Sequence, residues 1–220
     1  MGAENPSRCF TPKRSRRSDG DRTRSAIMTA TIALIAEEGL AGTTQRKVAK
    51  RAGVSLASIT YHFATLDELF EAAFDRLIDD SVARLDQLKP DAQEGKISIS
   101  EAWDRVVRDP DGRTPEHVIG SFELLVASIR QPQLRPASIK LLDALNGFFQ
   151  TWTVGPDPAR SALSLMLGLS LTEAASGRQL GEADIASVFS DFGLRPDDTD
   201  CNTLNYRNLN STICLERHST

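Results

Sequence analysis

Apolar residues recur at intervals of three and four through most of the chain, which is the spacing of one face of an α-helix. Residues 22–39 show it first, with Ile27, Ala30 and Leu34 on one face. Gly39 then supplies a stop. No segment shows the alternating apolar and polar pattern of a strand. The pattern therefore predicts an all-α fold.

A long amphipathic helix is predicted from Asp67, in the segment LDELFEAAFDRLIDDSVARLDQL. Pro90 and Gly95 lie in the mostly polar stretch 89–97 that follows, where we expect a loop. Further helices are predicted over residues 98–108, 115–130, 136–153, 158–176 and 182–192, separated by Pro, Gly and polar residues.

Two short helices with a tight corner are predicted between Thr43 and Phe63. Thr43 or Thr44 caps the first helix, because a side-chain oxygen there accepts a free N–H of the first turn. Gly53 ends that helix, since Gly takes the left-handed C-terminal conformation without steric cost. Ser55 caps the second helix at once. This is the pattern of a helix-turn-helix, whose second helix enters a DNA major groove.

Charge divides the chain at the end of this motif. Residues 1–63 hold eleven Lys and Arg against five Asp and Glu, whereas the whole chain carries a net charge of −4. The basic end is where an anionic partner would bind. Residues 1–21 are predicted to form a disordered basic arm, which either reaches DNA or serves only as a solubilising tail. Its cluster of cations is Lys13, Arg14, Arg16 and Arg17.

The remaining composition points away from other classes of protein. We find no phosphate-binding Gly-rich loop, zinc-protease motif or nucleophile motif, so we predict that the chain is not an enzyme and uses no cofactor. Cys201, Cys214 and His218 lack a fourth ligand, and we expect no metal site. Cys9 leaves an odd number of cysteines, which favours a reducing cytoplasm. The apolar segment 162–171 is too short to span a bilayer, and we expect no membrane segment.

The stretch TTQRKVAKRAGVSLASITYHF, the DELF after it and the long helix that follows together resemble the TetR family of bacterial transcriptional regulators. The resemblance covers residues 22–74. It implies a three-helix DNA-binding head over residues 22–66 and a larger helical effector-binding and dimerisation domain over residues 67–195, followed by a polar tail over residues 196–220. It also implies that eight residues meet or approach double-stranded DNA: Thr44, Arg46, Ser55, Ala57, Ser58, Thr60, Tyr61 and His62.

Three positions depart from the family pattern. Ala57 stands where Gly is common, Thr60 where a phosphate-binding Tyr is common, and Leu66 where a Lys is common. Loss of phosphate contacts lowers affinity and its dependence on salt, so we expect the basic arm to compensate. Two roles are possible for His62: it contacts DNA, or it packs inside the head.

The family resemblance also implies a homodimer with an effector cavity in each C-terminal half. SALSLMLGLSL, residues 161–171, is apolar nearly all round and must be covered on both sides, by a partner subunit or by a core. We predict a dimer interface at Leu163, Leu167, Leu171 and Phe189. A cavity lined by aromatic and a few polar groups is predicted from Trp103, His117, Phe122, Asn146 and Phe149, while core packing is the favoured role for any single aromatic residue among them.

The sequence therefore predicts a cytoplasmic regulator that binds a palindromic operator as a homodimer and is released by a small molecule. The alternative is a protein-interaction module whose degenerate helix-turn-helix does not bind DNA.

Overall fold

A computed structural model describes residues 16–107, 115–153 and 156–191. Every regular element in these residues is helical, which confirms the all-α prediction. The helices are α1 Arg16–Gly42, α2 Gln45–Ala52, α3 Leu56–His62, α4 Leu66–Gln93, α5 Ile99–Val107, α6 Pro115–Arg130, α7 Arg135–Phe149, α8 Pro156–Ser176 and α9 Glu182–Asp191, with 3₁₀ turns at Pro132–Leu134 and Gln150–Trp152.

The described residues form two compact units. The first contains residues 16–87 and 105–148, and the second contains residues 88–104 and 149–191. The domain boundaries predicted at residues 21, 66 and 195 stay predictions. The basic residues Lys13 and Arg14 and the tail from residue 196 lie outside the described residues.

The head of the first unit is built from α1, α2 and α3 around a small apolar core. Ile27 and Ile35 of α1, Val48 of α2, and Ile59 and Phe63 at α3 are all buried. Ile27 is among the positions that the helical spacing placed inward. The head therefore holds the two motif helices against a third, as the sequence predicted.

Helix α1 differs from its prediction at both ends. It begins at Arg16 instead of Arg22, so residues 16–21 belong to a helix and not to an arm. Gly39 takes a φ of 70°, and the chain continues helically to Gly42 after this kink. Residues 19–42 are long and apolar enough to cross a membrane by length and composition alone, but their Ile27 and Ile35 line the core of the head.

Helix α4 contributes a buried apolar face to the first unit. Leu69, Ala73 and Leu77 on one face of α4 are fully buried, because they recur at the helical period. Helix α6 lies against α1. A Cβ added at Gly120 of α6 would lie 3.3 Å from Leu77 and 3.7 Å from Ile32, so this position admits no larger residue without adjustment.

The second unit has an aromatic core. The ring of Phe189 lies 6.2 Å from Trp103 and 6.5 Å from Phe149, and Phe149 lies 6.4 Å from Trp152. The indole of Trp152 donates a hydrogen bond to the Ile97 carbonyl at 3.4 Å. These separations and tilts are those of favourable aromatic pairs.

The loop predicted at residues 89–97 is wrong in its first half. Helix α4 continues through Pro90 to Gln93 and ends at Gly95, whose φ is 67°. A proline inside a helix removes one backbone hydrogen bond and its ring crowds the carbonyl four residues back, which can kink a helix instead of ending it. Gly95 is the residue that ends the helix, in the left-handed conformation expected of a C-terminal glycine.

Candidate nucleic-acid interface

Helix α2 has the caps that its sequence predicted. Of the two threonines, Thr44 is the N-cap, with φ −130° and ψ 154°, and its side chain accepts from the Lys47 N–H at 3.4 Å. Thr43 is buried and donates to the Gly39 carbonyl at 2.9 Å, so it closes α1 instead. Gly53 ends α2 at φ 67° and turns the chain into α3.

Ser55 is the N-cap of helix α3, and its hydroxyl makes its hydrogen bonds within that helix. The Ser55 hydroxyl accepts from the Ser58 N–H at 3.1 Å and lies 3.2 Å from the Ser58 hydroxyl, to which it donates. Leu56 and Ala57 beside it are exposed. The start of α3 therefore presents a small and largely apolar surface, which reads bases by shape and methyl contact more than by hydrogen bonds.

The end of α3 presents aromatic groups. Tyr61 is 84% exposed and is the most exposed large apolar residue of the head. Its ring meets the half-buried His62 edge to face at 5.1 Å, and His62 in turn lies 6.4 Å from Phe63. His62 thus packs within the head and also borders the exposed Tyr61 surface.

Arg24 is a functional candidate that sequence reasoning missed. Its guanidinium carbon lies 5.1 Å from the centre of the Phe63 ring, which places a cation of α1 beside the end of α3. Cations over aromatic faces are attracted by the ring quadrupole. No short motif marks this pair, because 39 residues of sequence separate it.

Two of the departures from the family pattern change the surface directly. Thr60 donates its hydroxyl back into its own helix, to the Ala57 carbonyl at 3.1 Å. It therefore offers DNA a methyl group and an acceptor but no free donor. Leu66 is half-buried at the first residue of α4 and carries no charge.

The four cations of α2 fall into two pairs. Arg51 binds Glu37 through two parallel hydrogen bonds of 2.6 and 2.7 Å. Lys47 binds Glu38 and also donates to the Gly42 carbonyl at 2.8 Å. Arg46 and Lys50 are exposed and make no ion pair with the described part of the chain.

The predicted effector residues fall in both units. His117, Phe122 and Asn146 are half-buried in the first unit. Trp103 and Phe149 are buried in the aromatic core of the second. Two of the five carry a buried polar atom without a hydrogen bond, the Trp103 indole N–H and the Asn146 side-chain carbonyl.

The predicted dimer residues differ in exposure. Leu163 and Leu167 are half-buried, and Leu171 is 53% exposed. Phe189 is 0% exposed, so its side chain supports α9 from within and does not lie on a surface that a second copy could touch. An open concavity of about 550 Å³ runs along the same helix, beside the small residues Ser161, Ser164, Gly168 and Thr172.

Comparison with known proteins identifies a family for the helix-turn-helix region and for the fold. The family model for bacterial regulatory proteins of the tetR family matches residues 27–73, which contain the end of α1, both motif helices and the start of α4. A solved structure from Streptomyces coelicolor A3, described as a member of the TetR family, superposes with a TM-score of 0.66 at 29% identity and covers 77% of this chain and 97% of that one. The chain therefore carries a TetR-family DNA-binding region and has the fold of TetR-family regulators.

Two further proteins are similar to this chain. The transcriptional regulator CymR of Pseudomonas putida is 30% identical over 133 residues, 57% of this chain and 61% of CymR. The multidrug-binding protein EbrR, solved with ethidium, has a TM-score of 0.63 at 28% identity and covers 77% of this chain and 97% of EbrR. The chain spans about a third and about three fifths of the lengths of the curated relatives that it matches.

Proposed function

We propose that this protein is a cytoplasmic transcriptional regulator that binds double-stranded DNA as a homodimer, represses from a palindromic operator and is released by a small molecule. The observation that carries the proposal is the capped α2–Gly53–α3 corner with an exposed α3 surface. A recognition helix must be held rigidly at one angle while its outer face stays open to the groove. Both conditions are met in the head.

The DNA surface we propose consists of α3 and the start of α2. Thr44 and Arg46 face phosphates, while Ala57, Ser58 and Tyr61 approach the groove or its edge. Ser55 and Thr60 contribute shape, since their hydroxyls are bonded within α3. His62 supports Tyr61 by ring packing. In the proposed homodimer, two such surfaces would read half-sites about 34–36 Å apart.

The effector proposal is supported by two buried polar atoms, at Trp103 and Asn146, that have no hydrogen-bond partner among the described residues. A buried donor or acceptor without a partner costs about 1–3 kcal/mol, which a bound molecule or water relieves. Trp103 offers a donor among the aromatic rings of the second unit, and Asn146 separately offers an acceptor within the first unit. EbrR is described in complexes with ethidium, proflavin and malachite green, so aromatic dyes are the first compounds to try.

The dimer proposal rests on α8. Its exposed side combines Leu171 with small residues, and small residues let two helices approach closely. A second copy related by a two-fold axis would cover this side, because such an interface uses the same patch on both subunits. The half-buried Leu163 and Leu167 would contribute to its edge.

Selection of bound sequences from a random duplex DNA pool tests the function. We expect enrichment of an inverted repeat, followed by salt-dependent binding of the enriched duplex in fluorescence anisotropy. Ethidium, proflavin and malachite green are then screened by thermal shift, and compounds that raise the melting temperature are tested for release of the duplex. Failure to enrich any sequence, with no binding at low salt, would favour the protein-interaction module instead.

A further inference from the structure

We propose that Lys50 is a phosphate-binding residue, and that Glu37 and Glu38 restrict the DNA contacts of α2 to the side that carries Arg46 and Lys50. The inference rests on the proposed DNA-binding function and concerns which residues perform it.

The four cations of α2 lie on two neighbouring flanks of the helix. Residues four apart project in nearly the same direction from a helix. Arg46 and Lys50 therefore share one flank, and Lys47 and Arg51 share the next, about 100° further round. Val48 and Ala49 are buried on the opposite side and fix the rotation of the helix.

The end of α1 occupies the flank of α2 that carries Lys47 and Arg51. The carboxylates of Glu37 and Glu38 follow each other at the end of α1 and take Arg51 and Lys47 respectively. A bidentate Arg–carboxylate pair fixes both partners in one plane, and its charge is largely cancelled for a third group. Lys47 is held twice, because it also donates to the Gly42 carbonyl.

The geometry at the end of α1 brings these two glutamates against α2. Gly39 turns the chain with a φ of 70° immediately after Glu38. Gly42 allows the last turn to approach, since a Cβ added there would lie 2.8 Å from the Glu38 Cβ. The two glycines and the two glutamates thus place the carboxylates against α2.

The flank of α2 that carries Arg46 and Lys50 is open. Arg46 and Lys50 are exposed, and within the described residues neither meets a carboxylate. In a helix-turn-helix the first motif helix crosses the DNA backbone while the second lies in the groove. Arg46 at the start of α2 and Lys50 one turn later would then follow a single phosphate strand. This gives the head a cation that offsets the neutral Leu66.

The experiment measures the salt dependence of binding to a short fluorescein-labelled duplex of mixed sequence, from about 50 to 200 mM KCl. Three full-length variants are compared with the native chain. Lys50→Gln removes the proposed contact. Lys47→Gln with Glu38→Gln removes a held pair at constant net charge. Lys89→Gln removes an exposed lysine of α4 with the same charge change as Lys50→Gln. Circular dichroism and melting temperatures check that each variant folds.

We expect Lys50→Gln to lower the slope of log affinity against log salt by about 0.9 per bound protomer. Between the two salt concentrations this corresponds to a loss of salt sensitivity of about threefold per protomer. The double variant and Lys89→Gln should keep the native slope. A native slope in Lys50→Gln, or an equal loss in the double variant, would overturn the inference while leaving DNA binding established. Absence of duplex binding by the native chain would overturn the proposed function as well.

Discussion

At the residue level, the short hydroxyl side chains of α3 serve the helix before they serve DNA. Ser55 accepts the Ser58 N–H, and Thr60 donates to the Ala57 carbonyl. A sequence motif places such residues on the recognition surface but does not show which of their hydrogen bonds are already made. The remaining contacts to phosphate must come from other groups, of which Tyr61 and the cations of α2 are the most exposed.

Two substitutions of Ser55 separate its capping role from its position at DNA. Ser55→Ala removes the cap and should lower the free energy of unfolding by about 1 kcal/mol. Ser55→Asp keeps a good capping residue but adds a negative charge at the proposed phosphate surface. It should retain native stability in urea unfolding and bind the selected duplex much more weakly. Equal DNA affinity for the two variants would show that Ser55 does not lie near DNA.

Leu66→Lys should restore a phosphate contact. Its long aliphatic stem can cover the apolar surface that the half-buried leucine covers, while the ammonium reaches solvent. We expect tighter DNA binding and a salt slope steeper by about one unit per protomer in anisotropy titrations. Leu66→Gln is the neutral control, and a gain of the same size in this control would assign the effect to the loss of leucine instead.

At the element level, the junction between α1 and α2 combines a close backbone approach with two ion pairs. Thr43, Gly39 and Gly42 bring the end of α1 against the start of α2, and the Glu37 and Glu38 pairs hold the two helices together. Exposed ion pairs of this kind each contribute little to stability. Their effect here is on orientation, since both pairs connect the same two helices.

A methyl group added at this junction should be destabilising. Gly42→Ala would place its Cβ 2.8 Å from the Glu38 Cβ, so the backbone of α1 must move. We expect a loss of about 1–3 kcal/mol in the free energy of unfolding, measured with urea. Gly147→Ala in α7 is the matched control, because nothing lies within 4 Å of its added Cβ. It should gain about 0.5–1 kcal/mol from the better helix propensity of alanine.

At the level of the whole molecule, one exposed apolar residue on the proposed dimer surface can be compared with one that lies elsewhere. Leu171 on α8 is 53% exposed and Val126 on α6 is 59% exposed. Isolated apolar residues on a surface are common and require no partner. Only Leu171 lies on the side of α8 that we propose is covered by a second copy.

Leu171→Glu should therefore dissociate the dimer, while Val126→Glu should leave it intact. A charge buried without a partner at an interface is strongly unfavourable, whereas the same charge in solvent is tolerated. Light scattering coupled to size-exclusion chromatography gives the mass of each variant. The monomeric variant should also lose affinity for the inverted repeat, because it engages one half-site. Dissociation by both variants would place the interface elsewhere.

The sequence by itself determined the helices, the motif and the division of charge. Thr44, Gly53 and Ser55 act on backbone groups within a few residues of themselves, so their roles follow from local chemistry. Helical periodicity then specified which faces are buried, and the bounds of α2 and α6 were predicted correctly. Pro90 was misassigned because a proline can stand inside a helix as well as in a loop, and composition does not distinguish the two.

The tertiary structure alone decided which groups meet across the chain. Phe189 was predicted on a dimer surface because periodicity identifies an apolar face without naming what covers it, and the fold packs it against Trp103 and Phe149. Likewise, Lys47 and Lys50 look equivalent in sequence. Only the approach of α1 to one side of α2 pairs the first with Glu38 and leaves the second open, because ion pairs between helices depend on the crossing of those helices.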